Sequence, residues 1–67
     1  MKDQVLWRKN ARIVTMLADR MSIEPEKAMD IFYNSHTYSL LINPESGLQL
    51  QSDEYILNDI LTELGAA

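Results

Sequence analysis

Asp3-Gln4-Val5-Leu6-Trp7-Arg8-Lys9-Asn10-Ala11-Arg12-Ile13-Val14-Thr15-Met16-Leu17-Ala18-Asp19-Arg20-Met21 lies within the longest stretch of the chain free of Gly and Pro. Its apolar residues recur with helical period. Leu6, Trp7, Ile13, Val14, Leu17 and Met21 fall on one face, and Arg8, Arg12, Thr15 and Asp19 fall opposite. Ala11 and Ala18 add intrinsic helix preference. The stretch therefore predicts an amphipathic helix over 3–21. Two features depart from a simple amphipathic pattern. Asn10 projects into the middle of the apolar face. Val5 and Met16 project onto the basic side, beside Lys9 and Arg12.

Working outward, residues 22–24 read as a turn. Pro25 suits the first position of a second helix, where its missing N–H is no loss. Glu24 and Glu26 favour the same start through the helix dipole. Ala28, Ile31 and Phe32 form the buried stripe of this helix, 25–34. Asn34-Ser35 interrupts it, and Ser35 is the cap of a short third helix, 36–42, burying Tyr38, Leu41 and Ile42. Asn43-Pro44-Glu45-Ser46-Gly47 reads as a turn, with Gly47 supplying a positive φ. Leu48-Gln49-Leu50-Gln51 alternates with period two, which predicts an extended strap whose two leucines face one way. Ser52 caps a last helix, 53–64, with Asp53 and Glu54 in its first turn. Its covered face is Ile56, Leu57, Ile60, Leu61 and Leu64, and Gly65 ends it. The expected fold is all-α: one domain over 1–67, with four helices and an extended strap between the third and fourth.

The chain has 67 residues, so a single core is the only option. A chain of this size buries only about 60% of its unfolded surface, and a second copy or a partner would add usefully to its stability. Hydrophobic residues make up 46% and charged ones 24%, which argues against disorder. Charge is unevenly divided. Lys2, Arg8, Lys9, Arg12 and Arg20 against Asp3 and Asp19 give residues 1–21 a balance of +3. Lys27 against Glu24, Glu26, Asp30, Glu45, Asp53, Glu54, Asp59 and Glu63 gives the remainder −7, for the net −4. A basic first segment and an acidic remainder suggest complementary pairing, within one chain or between copies. Two separately solvated faces are the alternative.

The run Ile31-Phe32-Tyr33-Asn34-Ser35-His36-Thr37-Tyr38-Ser39-Leu40-Leu41, then Asn43-Pro44-Glu45-Ser46-Gly47-Leu48, then Ser52-Asp53-Glu54-Tyr55-Ile56 resembles a family of small bacterial proteins of unknown function. The family pattern is F-Y-x-S-x-T-Y-x-L-L, then P-E-T-G-L, then S-x-E-Y-I. Ser46 stands where the pattern has Thr. The resemblance covers the C-terminal half to two-thirds of the chain. It implies a shared scaffold without naming a reaction. The toxin-like genes near some relatives imply partner binding; the alternative reading of the chain is a small nucleic-acid-binding or antitoxin-like regulatory protein.

The chemistry of the residues narrows the function further. His36 is the only histidine, and hydroxyls flank it in Tyr33-Asn34-Ser35-His36-Thr37-Tyr38. A nucleophile, its base and an orienting group must converge in space, and neighbours at one helix junction do not. Capping explains the same residues, so no catalytic residue is expected and the chain is not read as an enzyme. Without Cys, thiolate metal sites are excluded. One His and no D-x-D-x-D-G loop leave no expected metal, and two glycines cannot build a phosphate loop, so no cofactor is expected. Lys2, Arg8, Lys9 and Arg12 suit phosphates, but a chain of pI near 4.6 is a poor nucleic-acid binder. No apolar run spans a membrane, and the opening MKDQVLWRKNAR lacks the apolar segment of a signal peptide. A cytoplasmic setting is expected. What remains is a non-catalytic protein-interaction module, expected as a homodimer built on the first helix. The candidate interface is Val5, Trp7, Asn10, Met16, Leu17 and Met21. Asn10 is the kind of polar residue that sets register between paired helices, and the competing reading bonds it inside the monomer.

Overall fold

Helix α1, Lys2–Met21, is the spine of the computed structural model, which describes the backbone of residues 2–65 and the side chains from Trp7 onward. Helix α2, Pro25–Tyr33, packs on it after a sharp reversal. Helix α3, His36–Leu41, is a short link. A single 3-10 turn, Leu48–Leu50, leads to α4, Asp53–Glu63, which packs against both α1 and α3. Among the described residues the fold is all-α with four helices, as the periodicity predicts.

The reversal after α1 has a definite geometry. The Ile23 N–H donates to the Ala18 carbonyl and the Ser22 N–H to the Asp19 carbonyl, a Schellman pair that satisfies two of the helix's last acceptors. Ser22 sits at φ 56° to make this possible, a conformation that ordinarily favours glycine. Ile23 then tucks back against the core. The expected caps are present. Ser35 Oγ accepts from the Tyr38 N–H at 3.0 Å, and Ser52 Oγ accepts from the Tyr55 N–H at 3.1 Å.

The core draws on every element. Ile13, Leu17, Phe32, Leu41, Ile56, Leu57 and Ile60 are fully enclosed, with Val14, Ala18, Ala28, Leu48 and Leu61 around them. The other expected core residues divide between the core's edge and the surface. Met21, Ile31 and Tyr38 are only half-buried, and Trp7, Ile42 and Leu64 are exposed. Leu6 lies outside the described side chains.

The connector also departs from expectation. It is not an extended strap. The Leu50 N–H donates to the Gly47 carbonyl and the Gln51 N–H to the Leu48 carbonyl, closing a 3-10 turn. At three residues per turn, positions two apart no longer share a face. Leu48 enters the core while Leu50 is left 83% exposed. Local hydrogen bonds set this conformation. Ser46 Oγ accepts from the Leu48 N–H, and Asn43 Oδ1 accepts from the Glu45 N–H. Gly47 stands at φ 75°, as the turn requires.

Two substitutions test these backbone positions. Nothing lies within 4 Å of a Cβ built on Gly47, so Gly47→Ala carries a conformational penalty alone. The expected loss is about 1 kcal/mol in urea unfolding. Ser22→Gly removes the strain at the α1 reversal and should add about 0.5–1 kcal/mol, visible as a higher urea midpoint at unchanged slope.

Candidate interaction surface

The stripe proposed as an interface on α1 is largely the core of the monomer. Leu17 is fully enclosed and Asn10 is 5% exposed, so neither is available to a partner. Met16 and Met21 are half-buried and pack against the core. Trp7 is the described exception, at 68% exposure. Val5 lies outside the described side chains. The reason is geometric: α2 and α4 both pack against α1, leaving little of its apolar face for a second chain. Asn10 is enclosed within the monomer. Its Oδ1 is buried and, among the described residues, has no hydrogen-bond partner.

The basic side of α1 is used inside the chain. Lys9 Nζ reaches Asp53 Oδ1 at 2.9 Å and the Gln51 carbonyl at 2.8 Å. Arg12 Nε donates to Asp53 Oδ2 at 2.7 Å. Farther along, Arg20 lies 3.7 Å from Glu54. Met16 stands between Arg12 and Arg20 on the same i, i+4 row, so the strip it was expected to offer is flanked by ion pairs to α4. Beside it, Ala11, Arg12, Thr15 and Met16 line a shallow depression open to solvent.

The polar run around His36 is occupied with helix ends. Glu63, the last residue of α4, accepts from the His36 N–H at 2.6 Å and from both the Thr37 N–H and hydroxyl, at 3.0 and 2.8 Å. Its carboxylate thus caps α3 from another helix, a contact that sequence spacing did not reveal. The His36 ring is at the surface, with its Nδ1 3.5 Å from the Ser39 hydroxyl, which itself donates to the His36 carbonyl. Ser35, besides capping α3, donates to the Phe32 carbonyl at 2.6 Å.

A second exposed surface was missed in the sequence. Glu26, Met29, Asp30 and Tyr33 follow i, i+3, i+4, i+7 spacing and form the outer face of α2. All four are exposed. Tyr33 is braced by its neighbours, edge-on to Phe32 at 5.1 Å and to Tyr38 at 4.9 Å between ring centres. The signal was present in the periodicity. Helix 25–34 carries two adjacent apolar rows, and the narrow Ala28–Ile31–Phe32 stripe already satisfies the core.

Comparison with protein-family models, with curated proteins and with solved structures gives no match to this chain.

Two carboxylates couple this arrangement to pH. Hydrogen bonding from Arg12 holds the Asp53 carboxyl below its ordinary value, with burial opposing and Lys9 assisting. For Glu63, burial works to raise the value, but the donors at His36 and Thr37 together bring it below the ordinary one. A carboxyl whose value is lower folded than unfolded binds its proton more readily in the unfolded chain. Its stabilisation is complete above the ordinary values of 3.8 and 4.5 and is lost as the pH falls through the folded-state values. Melting temperature should hold from neutral pH to about pH 5 and drop below it. The doubly neutralised variant Asp53→Asn/Glu63→Gln should start lower and show a flatter acid limb. A separate melt tests Asn10. Val has comparable helix propensity and no carbonyl to desolvate, so Asn10→Val should raise stability by about 1 kcal/mol.

Proposed function

We propose that the chain is a non-catalytic, self-associating protein-interaction module that works in the bacterial cytoplasm. The observation that carries this reading is the exposure of large apolar side chains over a core that is already closed. Trp7, Met29, Tyr33, Tyr55 and Leu50 are all outside it, at 68, 46, 39, 51 and 83% exposure. Trp, Tyr and Met are the residue types enriched where proteins meet. The resemblance of Phe32–Leu41, Pro44–Leu48 and Ser52–Ile56 to a family with toxin-like gene neighbours supports a partner-binding role. Within the described residues no helix is long and apolar enough to cross a membrane.

The antitoxin-like, nucleic-acid-binding alternative has less support. Lys9 and Arg12 are already joined to Asp53, and the exposed face of α2 is acidic. A phosphate contact by these cations would compete with an existing carboxylate. Catalysis by the His36 region has a similar competitor. Ser35, Thr37 and the His36 N–H are engaged at helix ends rather than arranged around a reacting atom.

Sedimentation equilibrium across low to high micromolar concentration tests the reading. The expected outcome is a concentration-dependent rise from 7.7 kDa toward twice that mass. Trp7 is the only tryptophan and stands exposed, so its emission should shift to the blue over the same range. A constant monomer mass with unshifted emission would falsify self-association.

A further inference from the structure

We infer that two copies pair reciprocally, the start of α1 in one copy docking on the outer face of α2 in the other. The inference rests on the self-association proposed above and supplies its contact surfaces. On one side stand Trp7 and Arg8; on the other stand Glu26, Met29, Asp30 and Tyr33.

The two surfaces are left over for a physical reason. At about 1.5 Å per residue, the nine residues of α2 cover less than half of the twenty-residue α1. Trp7 lies on the same helical row as Val14 and Ala18, which are buried, but two turns closer to the helix start. Toward the helix start the row ends in Trp7, which is uncovered. Beside it Arg8 is exposed and forms no ion pair among the described residues, unlike Lys9, Arg12 and Arg20.

The outer face of α2 has complementary chemistry. Met29 and Tyr33 are one turn apart and form an apolar strip, with Glu26 and Asp30 along its side. Neither acid has a cationic partner among the described residues, and Asp30 accepts only a side-chain amide, from Asn34. An indole can pack on Met29 and the braced Tyr33 ring while the adjacent guanidinium meets the carboxylates. Charge also selects the arrangement. Pairing α2 with α2 opposes Glu26 and Asp30 to their own copies, and pairing the α1 starts opposes Arg8 to Arg8. A twofold relation that places each α1 start on the other copy's α2 avoids both repulsions and forms the favourable contact twice.

The test uses charge reversal and mixing in the full chain. Arg8→Glu and the double variant Glu26→Lys/Asp30→Lys each alter exposed side chains, and circular dichroism checks that each remains helical. Each alone should weaken association by roughly tenfold or more. Mixed in equal amounts, they should regenerate a dimer at parental concentrations. In that heterodimer one contact pairs the two reversed surfaces and the other pairs the two native ones. Dimerisation of each variant at parental strength overturns this pairing and leaves self-association standing through another surface. Folded variants that are separately weakened but fail to recover on mixing overturn it as well. A parent that remains monomeric overturns both inferences. If a short Leu/Lys amphipathic peptide then binds the parent but not the Glu26→Lys/Asp30→Lys variant, the α2 face belongs to a basic helix of another protein.

Discussion

Asp53 is held from two sides by Lys9 and Arg12, and the geometry of the last helix depends on that grip. The carboxylate stands at the first residue of α4, where the helix dipole also favours negative charge. Hydrophobic burial supplies most of the folding free energy, but it is non-directional. A helix with Ile56, Leu57, Ile60 and Leu61 on one side can slide or tilt along an apolar groove at modest cost. Fixing its first residue to two points on α1 removes that freedom. Lys9 strengthens the connection by donating also to the Gln51 carbonyl just before the helix begins. The other end is fixed by Glu63, whose carboxylate caps α3. Helix α4 is therefore a strut with a carboxylate at each end, one bound to the spine and one to the short link.

The grip also shapes the surface. Lys9, Arg12 and Arg20 contribute most of the positive charge on α1, and all three turn to carboxylates of α4. The acids of α2 retain no such neighbours among the described residues. Helix α2 itself carries two exposed acids, Glu26 and Asp30, against one exposed cation, Lys27. Arg8, one residue before Lys9, projects differently and is excluded from the network. Helical geometry thus separates two adjacent cations into one internal strut contact and one outward charge.

Asn10 shows a different balance. It lies at the centre of the α1 apolar face, and its carbonyl oxygen is removed from water without a partner among the described residues. Such an arrangement costs about 1–3 kcal/mol in a protein core. A polar residue retained there can restrict which neighbours pack against α1, because an apolar surface offers no donor. In this chain the residue is enclosed by the fold, so the cost falls on the monomer's own stability.

Local sequence determined the helices and their ends. The apolar period of 3–21, Pro25 at a helix start, the Ser35 and Ser52 caps, and the positive φ of Gly47 all follow from interactions within a few residues. The structure reproduces each of them. Tertiary structure decided which apolar residues are covered. Trp7 has the same periodic signature as Val14, yet one is exposed and the other buried, because coverage depends on the length and placement of α2. Leu48 and Leu50 alternate like strand residues, but the Leu48 N–H bonded to Ser46 Oγ and the Leu50 N–H bonded to the Gly47 carbonyl close a 3-10 turn and separate them. The basic face of α1 was legible as a face, while its engagement by Asp53 was not. Those residues lie more than forty positions apart, and only packing α4 onto α1 brings their charges within hydrogen-bond distance.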